Sequence, residues 1–94
     1  MAEHIDDISI EYSEDGIVTT KQLDKTILTR GAWTTIIFRY QTWDKKSQKY
    51  GPEAYSIRRY QKKSGTYQQR SKFNISSAEQ AKQIIEVLNR WISE

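Results

Sequence analysis

Residues 33–43, Trp-Thr-Thr-Ile-Ile-Phe-Arg-Tyr-Gln-Thr-Trp, leave this chain few ways to fold. β-Branched and aromatic side chains dominate the run, and no Gly or Pro interrupts it. It predicts a strand. Eleven residues at ~3.3 Å each span roughly 36 Å, long for a small domain. Side chains alternate across a strand, so Ile36, Phe38 and Tyr40 share one face. Trp33, Ile37, Arg39 and Trp43 share the other. Both faces are sticky. One must look at a core, and the other would then expose aromatics beside a cation.

The rest of the chain is organised around that strand. With 94 residues it makes one small domain whose core is thin. Residues 1–15 read as an acidic leader, either disordered or supporting a short strand through Ile5, Ile8 and Ile10. Residues 16–94 read as a single domain. Ile17–Thr20 and Thr26–Thr29 are β-rich and form one bent strand or two. Residues 44–52 read as a basic loop. Ala54–Gln61 and Tyr67–Ile75 read as strands, joined by a hairpin turn at Lys62-Lys63-Ser64-Gly65. Parity places Tyr55 and Ile57 toward the core and exposes Arg58 and Tyr60. It groups Tyr67 with Phe73 and Ile75. Ser76-Ser77-Ala78-Glu79 offers a capping box with Ser76 as N-cap. A helix follows, with apolar residues at helical spacing. The expected class is α+β, four antiparallel strands and then a C-terminal helix (β-β-β-β-α). One small sheet cannot cover the whole helix stripe. A homodimer through Ile84, Ile85, Leu88, Trp91 and Ile92 would cover the rest.

Charge is strongly segregated. The net value is only +3. Residues 1–16 carry six acids and no Lys or Arg, whereas residues 45–72 carry nine cations and one acid, Glu53. Tyrosines and glutamines are threaded between those cations. Solvation asks for charge but not for aromatics. A surface gripping a flexible polyanion uses both, cations on phosphates and rings on bases. The leader has two readings, a plain soluble tail or an internal mimic of phosphate that competes for the basic strands.

Other chemistry finds little support. There is no Cys and one His, so thiolate and His-based metal sites have no ligand set. No run approaches a membrane span and no signal peptide is visible. An intracellular protein is expected, in cytoplasm or nucleoid for a bacterial or phage source and in the nucleus for a eukaryotic one. The acids are not clustered as a metal-dependent nuclease requires, and no Ser or Thr has an evident base. The expectation is a non-enzyme without cofactor or metal.

Ile57-Arg58-Arg59-Tyr60, then Ser64-Gly65, then Arg70 to Ile75 and a Ser-capped helix resemble the positive cofactor 4-like family. This family comprises a transcriptional coactivator with bacterial and phage relatives. Gly31-Ala32-Trp33-Thr34 and Thr42-Trp43 are similar to the Trp-bearing segments of the bacterial members. The likeness covers residues 31–90. It implies curved β-ribbons, a homodimer joined by its helices, and binding of single-stranded or melted DNA. It assigns the family's ribbon Arg to Arg58 and its last-strand cation to Arg70, with Lys62 and Lys63 on a polar turn. The chain departs from the pattern at Arg59, which replaces an acid. It departs again at Tyr60 or Gln61, where some members carry Trp, and at Lys72, where a glycine is common.

Composition and resemblance together predict a single-stranded DNA-binding protein with weak sequence preference. Arg39, Lys45, Lys46, Arg58, Arg59, Lys62, Lys63, Arg70 and Lys72 would meet phosphates. Trp33, Trp43 and Tyr60 would stack on bases. Such a protein suits transcription, replication or repair and would work beside the proteins of those processes. Two alternatives use the same face: an RNA-binding regulator, and a module docking an acidic protein.

Overall fold

A computed structural model describes residues 2–93. A 3-10 turn at Ile5–Asp7 precedes six strands and one helix. They are β1 (Tyr12–Glu14), β2 (Ile17–Thr29), β3 (Trp33–Asp44), β4 (Lys49–Tyr50), β5 (Ala54–Lys63), β6 (Thr66–Ile75) and α1 (Ala78–Ile92). Every pairing is antiparallel, in the order β1-β2-β3-β5-β6, with β4 against the end of β3. The architecture is α+β, a curled antiparallel sheet with one C-terminal helix. The expected four strands become six, through β1 and through β4 in the segment read as a loop.

Local chemistry accounts for the turns. Asp15-Gly16 and Ser64-Gly65 both place two successive residues at positive φ, at 53° and 82° and at 53° and 83°. Paired left-handed residues give the primed two-residue turn that matches strand twist, and Gly adopts it without steric cost. The two β-rich segments near the start form one strand, β2, whose register against β3 shifts between Gln22 and Asp24 and between Ile27 and Thr29. Such bulges bend a strand and help the sheet to curl. Asp44 shapes the β3–β4 turn, its carboxylate accepting from the Lys46 N–H and the Ser47 hydroxyl, each at 3.0 Å.

Thr34, Ile36 and Phe38 of β3 are wholly buried, so the even face of that strand is the core face. β5 has the parity opposite to that expected. Its register sets Ser56 beside Phe38, Arg58 beside Ile36 and Tyr60 beside Thr34. Tyr60 is therefore buried, at 6% exposure, and cannot be the surface stacking ring that its alternation suggested. Arg58 is drawn to the same side. Ser56 survives in the core because its hydroxyl donates to Asn74 Oδ1 at 2.7 Å and accepts from Arg58 Nε at 3.0 Å. Unpaired, that buried hydroxyl would cost about 1–3 kcal/mol.

A second correction lies in β6. The register slips so that Ser71 faces Arg59 and Gln69 faces Tyr60, leaving Arg70 as the extra residue. This bulge transfers Tyr67 to the core face, away from Phe73 and Ile75. Lys72, opposite Arg58, also stands on the core side, although exposed.

The leader is a strap across the core face. Ile8 and Ile10 are 5% and 8% exposed and join Ile36, Phe38 and Tyr60 in one cluster. At one edge of the sheet the Ala2 carbonyl accepts the Tyr67 N–H at 2.8 Å. At the other, β1 pairs with β2. Between them Lys25 Nζ donates to the carbonyls of Ile5 and Ile8, both at 2.8 Å. Gln22 Oε1 accepts from the Ile10 N–H and the Ser9 hydroxyl. A boundary at residue 15 thus separates no independent unit. Among the described residues, none of the leader's acids forms an ion pair. Apolar burial and hydrogen bonds, several of them between the Lys25 and Gln22 side chains and the strap's backbone, hold the strap down.

The helix starts one residue later than its sequence signal. Ser77, not Ser76, is the N-cap; its hydroxyl accepts the Gln80 N–H at 3.1 Å. Gln80 reaches back to the Ser76 N–H at 2.9 Å. The helix leans chiefly on β6 and contains no buried residue.

Candidate nucleic-acid interface

The face of the sheet opposite the core carries the arrangement best suited to a ligand. Trp33 opens β3 on that face and is 44% exposed. Its register partner on β5 is Gln61, and Arg59 lies two residues back along β5, opposite Thr35. The Arg59 guanidinium sits over the Trp33 indole, 4.8 Å from the ring centroid. Arg70 joins them because the bulge turns it toward Gln61, whose Oε1 it meets at 3.1 Å through Nε. One ring, two guanidiniums and a side-chain amide are gathered on one open patch. Arg59 and Arg70 are exposed.

At the far end of β3 a second aromatic group forms. Trp43 pairs with Tyr50 across the β3–β4 hairpin. Their rings meet edge to face, with centroids 5.1 Å apart and planes at 71°. The Tyr50 hydroxyl donates to the Val18 carbonyl at 2.8 Å, which lays its ring across β3 toward β2. Lys21 Nζ stands 5.1 Å from the Tyr50 centroid. Lys45 and Lys46 project from the adjoining turn and are exposed. Trp43 is half-buried by Tyr50. Sequence reasoning missed Tyr50 and Lys21. The Asp44-to-Gln48 segment, led by an Asp able to close a turn, was the signal that could have placed Trp43 opposite Tyr50.

The middle of this face is electrically quiet. Arg39 Nη1 is 3.2 Å from Glu53 Oε1, and its Nη2 is 3.8 Å from Asp24 Oδ2. Two carboxylates flank one guanidinium, so Arg39 has little charge left for a phosphate.

The remaining predicted contacts divide between surfaces. Arg58 donates to Ser56 and, through Nη1, to Gln69 Oε1 at 3.0 Å. It lines a cleft of about 740 Å³ under the strap with His4, Asp7, Tyr60 and Tyr67. Its expected place on the open face is therefore corrected, because the β5 register turns it to the core side. Lys62 and Lys63 flank the β5–β6 turn and are exposed, Lys62 lying 5.4 Å from the Tyr67 ring centroid. Burial raises the Tyr60 hydroxyl above its usual pKa, partly offset by the charge of Arg58. Lys25 is lowered by burial beneath the strap, opposed by Asp6 and Asp7.

The helix stripe is open. Ile85, Leu88, Trp91 and Ile92 are 56%, 46%, 63% and 78% exposed, and Ile84 is half-buried. Phe73 of β6 borders the groove they form with Val87. Among the described residues no group of His, Cys, Asp or Glu is placed to hold a metal ion. None of the described helices is long and apolar enough to cross a membrane. Compared with known proteins, the chain matches no family model, no curated protein and no solved structure.

Proposed function

We propose that this protein is a non-enzymatic binder of single-stranded DNA with weak sequence preference, acting on melted DNA as the positive cofactor 4-like resemblance implies. The observation that carries the reading is the exposed Trp33 ring braced by Arg59, with Arg70 beside it. A base can stack on an indole or on a guanidinium plane, and any base will serve because each has a π face. The two arginines supply the charge that phosphates require. An acidic protein partner would use the cations and leave the indole without a role. The binding unit is a homodimer. Its support is the exposed stripe of α1, whose large apolar residues lie together as a contiguous patch rather than singly. A second copy of the same helix would cover them.

The test is a titration of the full chain with oligo-dT, followed by intrinsic tryptophan fluorescence. Quenching at micromolar concentration supports the reading. Matched oligo-rU distinguishes DNA from RNA, since only RNA offers the 2′-hydroxyl. Binding of polyglutamate in place of either nucleic acid would replace the reading with an acidic-partner module.

A further inference from the structure

The open face is built in three parts, and the order of those parts specifies what a bound strand would feel along its length. Trp33 with Arg59 stands at one end of β3, and Trp43 with Tyr50 and Lys21 at the other. Between them Arg39 is flanked by Asp24 and Glu53. We infer that the protein grips a single strand at two separate stations and leaves the intervening nucleotides unread and largely unheld. The inference rests on the nucleic-acid reading and specifies its site.

Geometry sets the spacing. The two indoles are ten residues apart on one strand and share its parity. At ~3.3 Å per residue they are about 33 Å apart. Stacked nucleotides advance ~3.4 Å each along a strand, so about ten of them bridge the stations, and fewer when the strand is stretched. That length lies within the range of ~4–16 nucleotides that single-strand grooves occupy.

Chemistry makes the stations unlike the middle. Each end offers a ring and a cation within 5.1 Å of its centroid. The middle offers Ile37 and Tyr55, both half-buried, and a guanidinium already between two carboxylates. Asp24 and Glu53 also repel phosphates there. A uniform groove would place free cations at regular intervals along its length. Linking two weak grips through one strand raises affinity by making the second grip intramolecular.

The experiment uses the full chain and dodecamers of oligo-dT lacking bases at chosen positions. Removal of the central four bases should change affinity less than about twofold. Removal of the terminal four at either end should weaken binding about tenfold or more. Replacing the central phosphates with uncharged methylphosphonates should likewise be tolerated. In Trp33→Ala or Trp43→Ala protein, one of the two end effects should vanish. Equal losses from central and terminal removal would overturn the two-station arrangement while leaving nucleic-acid binding intact. Failure of the intact dodecamer to bind would overturn the parent reading instead. Matched rU dodecamers show whether the stations discriminate DNA from RNA.

Discussion

Arg59 holds its guanidinium 4.8 Å from the ring centroid of Trp33, although the two lie on different strands of the sheet. The pair is exposed and contributes little to the core, so it can be altered without unfolding the protein. Trp33→Ala should weaken oligo-dT binding by about 1–3 kcal/mol if the ring stacks on a base. Its thermal unfolding midpoint should stay near that of the parent. A large fall in midpoint with no selective loss of affinity would assign Trp33 to packing.

Salt should act strongly on binding. With ~4–6 phosphates neutralised, the log–log slope for a single strand is about −3 to −4. A fourfold rise in salt should then weaken binding on the order of a hundredfold. A flat dependence, measured by the same fluorescence titration, would remove phosphate contacts from the mechanism.

The strap is predicted to matter for stability. Ile8→Ala opens a cavity against Phe38 and Tyr60 and should cost about 2–5 kcal/mol, read from urea unfolding. Asp6→Asn with Asp7→Asn should cost far less, because neither acid forms an ion pair among the described residues. The reverse ranking would mean that charge holds the leader in place.

Oligomeric state should respond to α1. Leu88→Glu with Trp91→Glu places charge in the exposed stripe. Sedimentation should shift from dimer toward monomer, with far-ultraviolet circular dichroism preserved. A monomeric parent protein would refute the helix-mediated dimer directly.

Alkaline pH should expose Tyr60. Burial raises its folded pKa above the ordinary 10.0. The unfolded chain therefore loses this proton first. The stability tied to that group is complete below about pH 10 and is lost as pH climbs through the raised value. Lys25 is lowered by burial and contributes the opposite slope. Comparing the parent with Tyr60→Phe cancels Lys25, and the variant should show the shallower alkaline loss of urea stability.

The sequence was informative where one pattern had one structural meaning. The alternation of Ile36 and Phe38 against Trp33 and Arg39 identified the core side of β3. Ser64-Gly65 marked its turn, and the spacing from Ile84 to Ile92 marked a helix with an uncovered stripe. β5 was ambiguous for a physical reason. Ala54, Ser56, Arg58 and Tyr60 are hardly less polar than Tyr55, Ile57, Arg59 and Gln61, so periodicity does not choose a side. Its register with β3 chooses, and that is a non-local fact. The bulge at Arg70 carries no glycine to announce it, yet it separates Tyr67 from Phe73 and Ile75 and leaves it on the same side as Lys72, whose own face is set by its register with Arg58. The leader had its clue in Ile5, Ile8 and Ile10, but the surrounding acids outweighed it. Burial of Ile8 and Ile10 needs only a receptive sheet, and no composition rule reveals one.

The hydrogen bond from Tyr67 to the Ala2 carbonyl joins residues that are synthesised far apart in time. A ribosome releases Ile8 and Ile10 long before Tyr60 and Tyr67, which complete the surface they dock on. The strap therefore waits, with its isoleucines unsheltered, until β5 and β6 have emerged. Contacts so distant in sequence slow folding and leave sticky segments open meanwhile. Six acids lie among those isoleucines in residues 1–16, and like charges of that density favour solvation over association of an exposed segment.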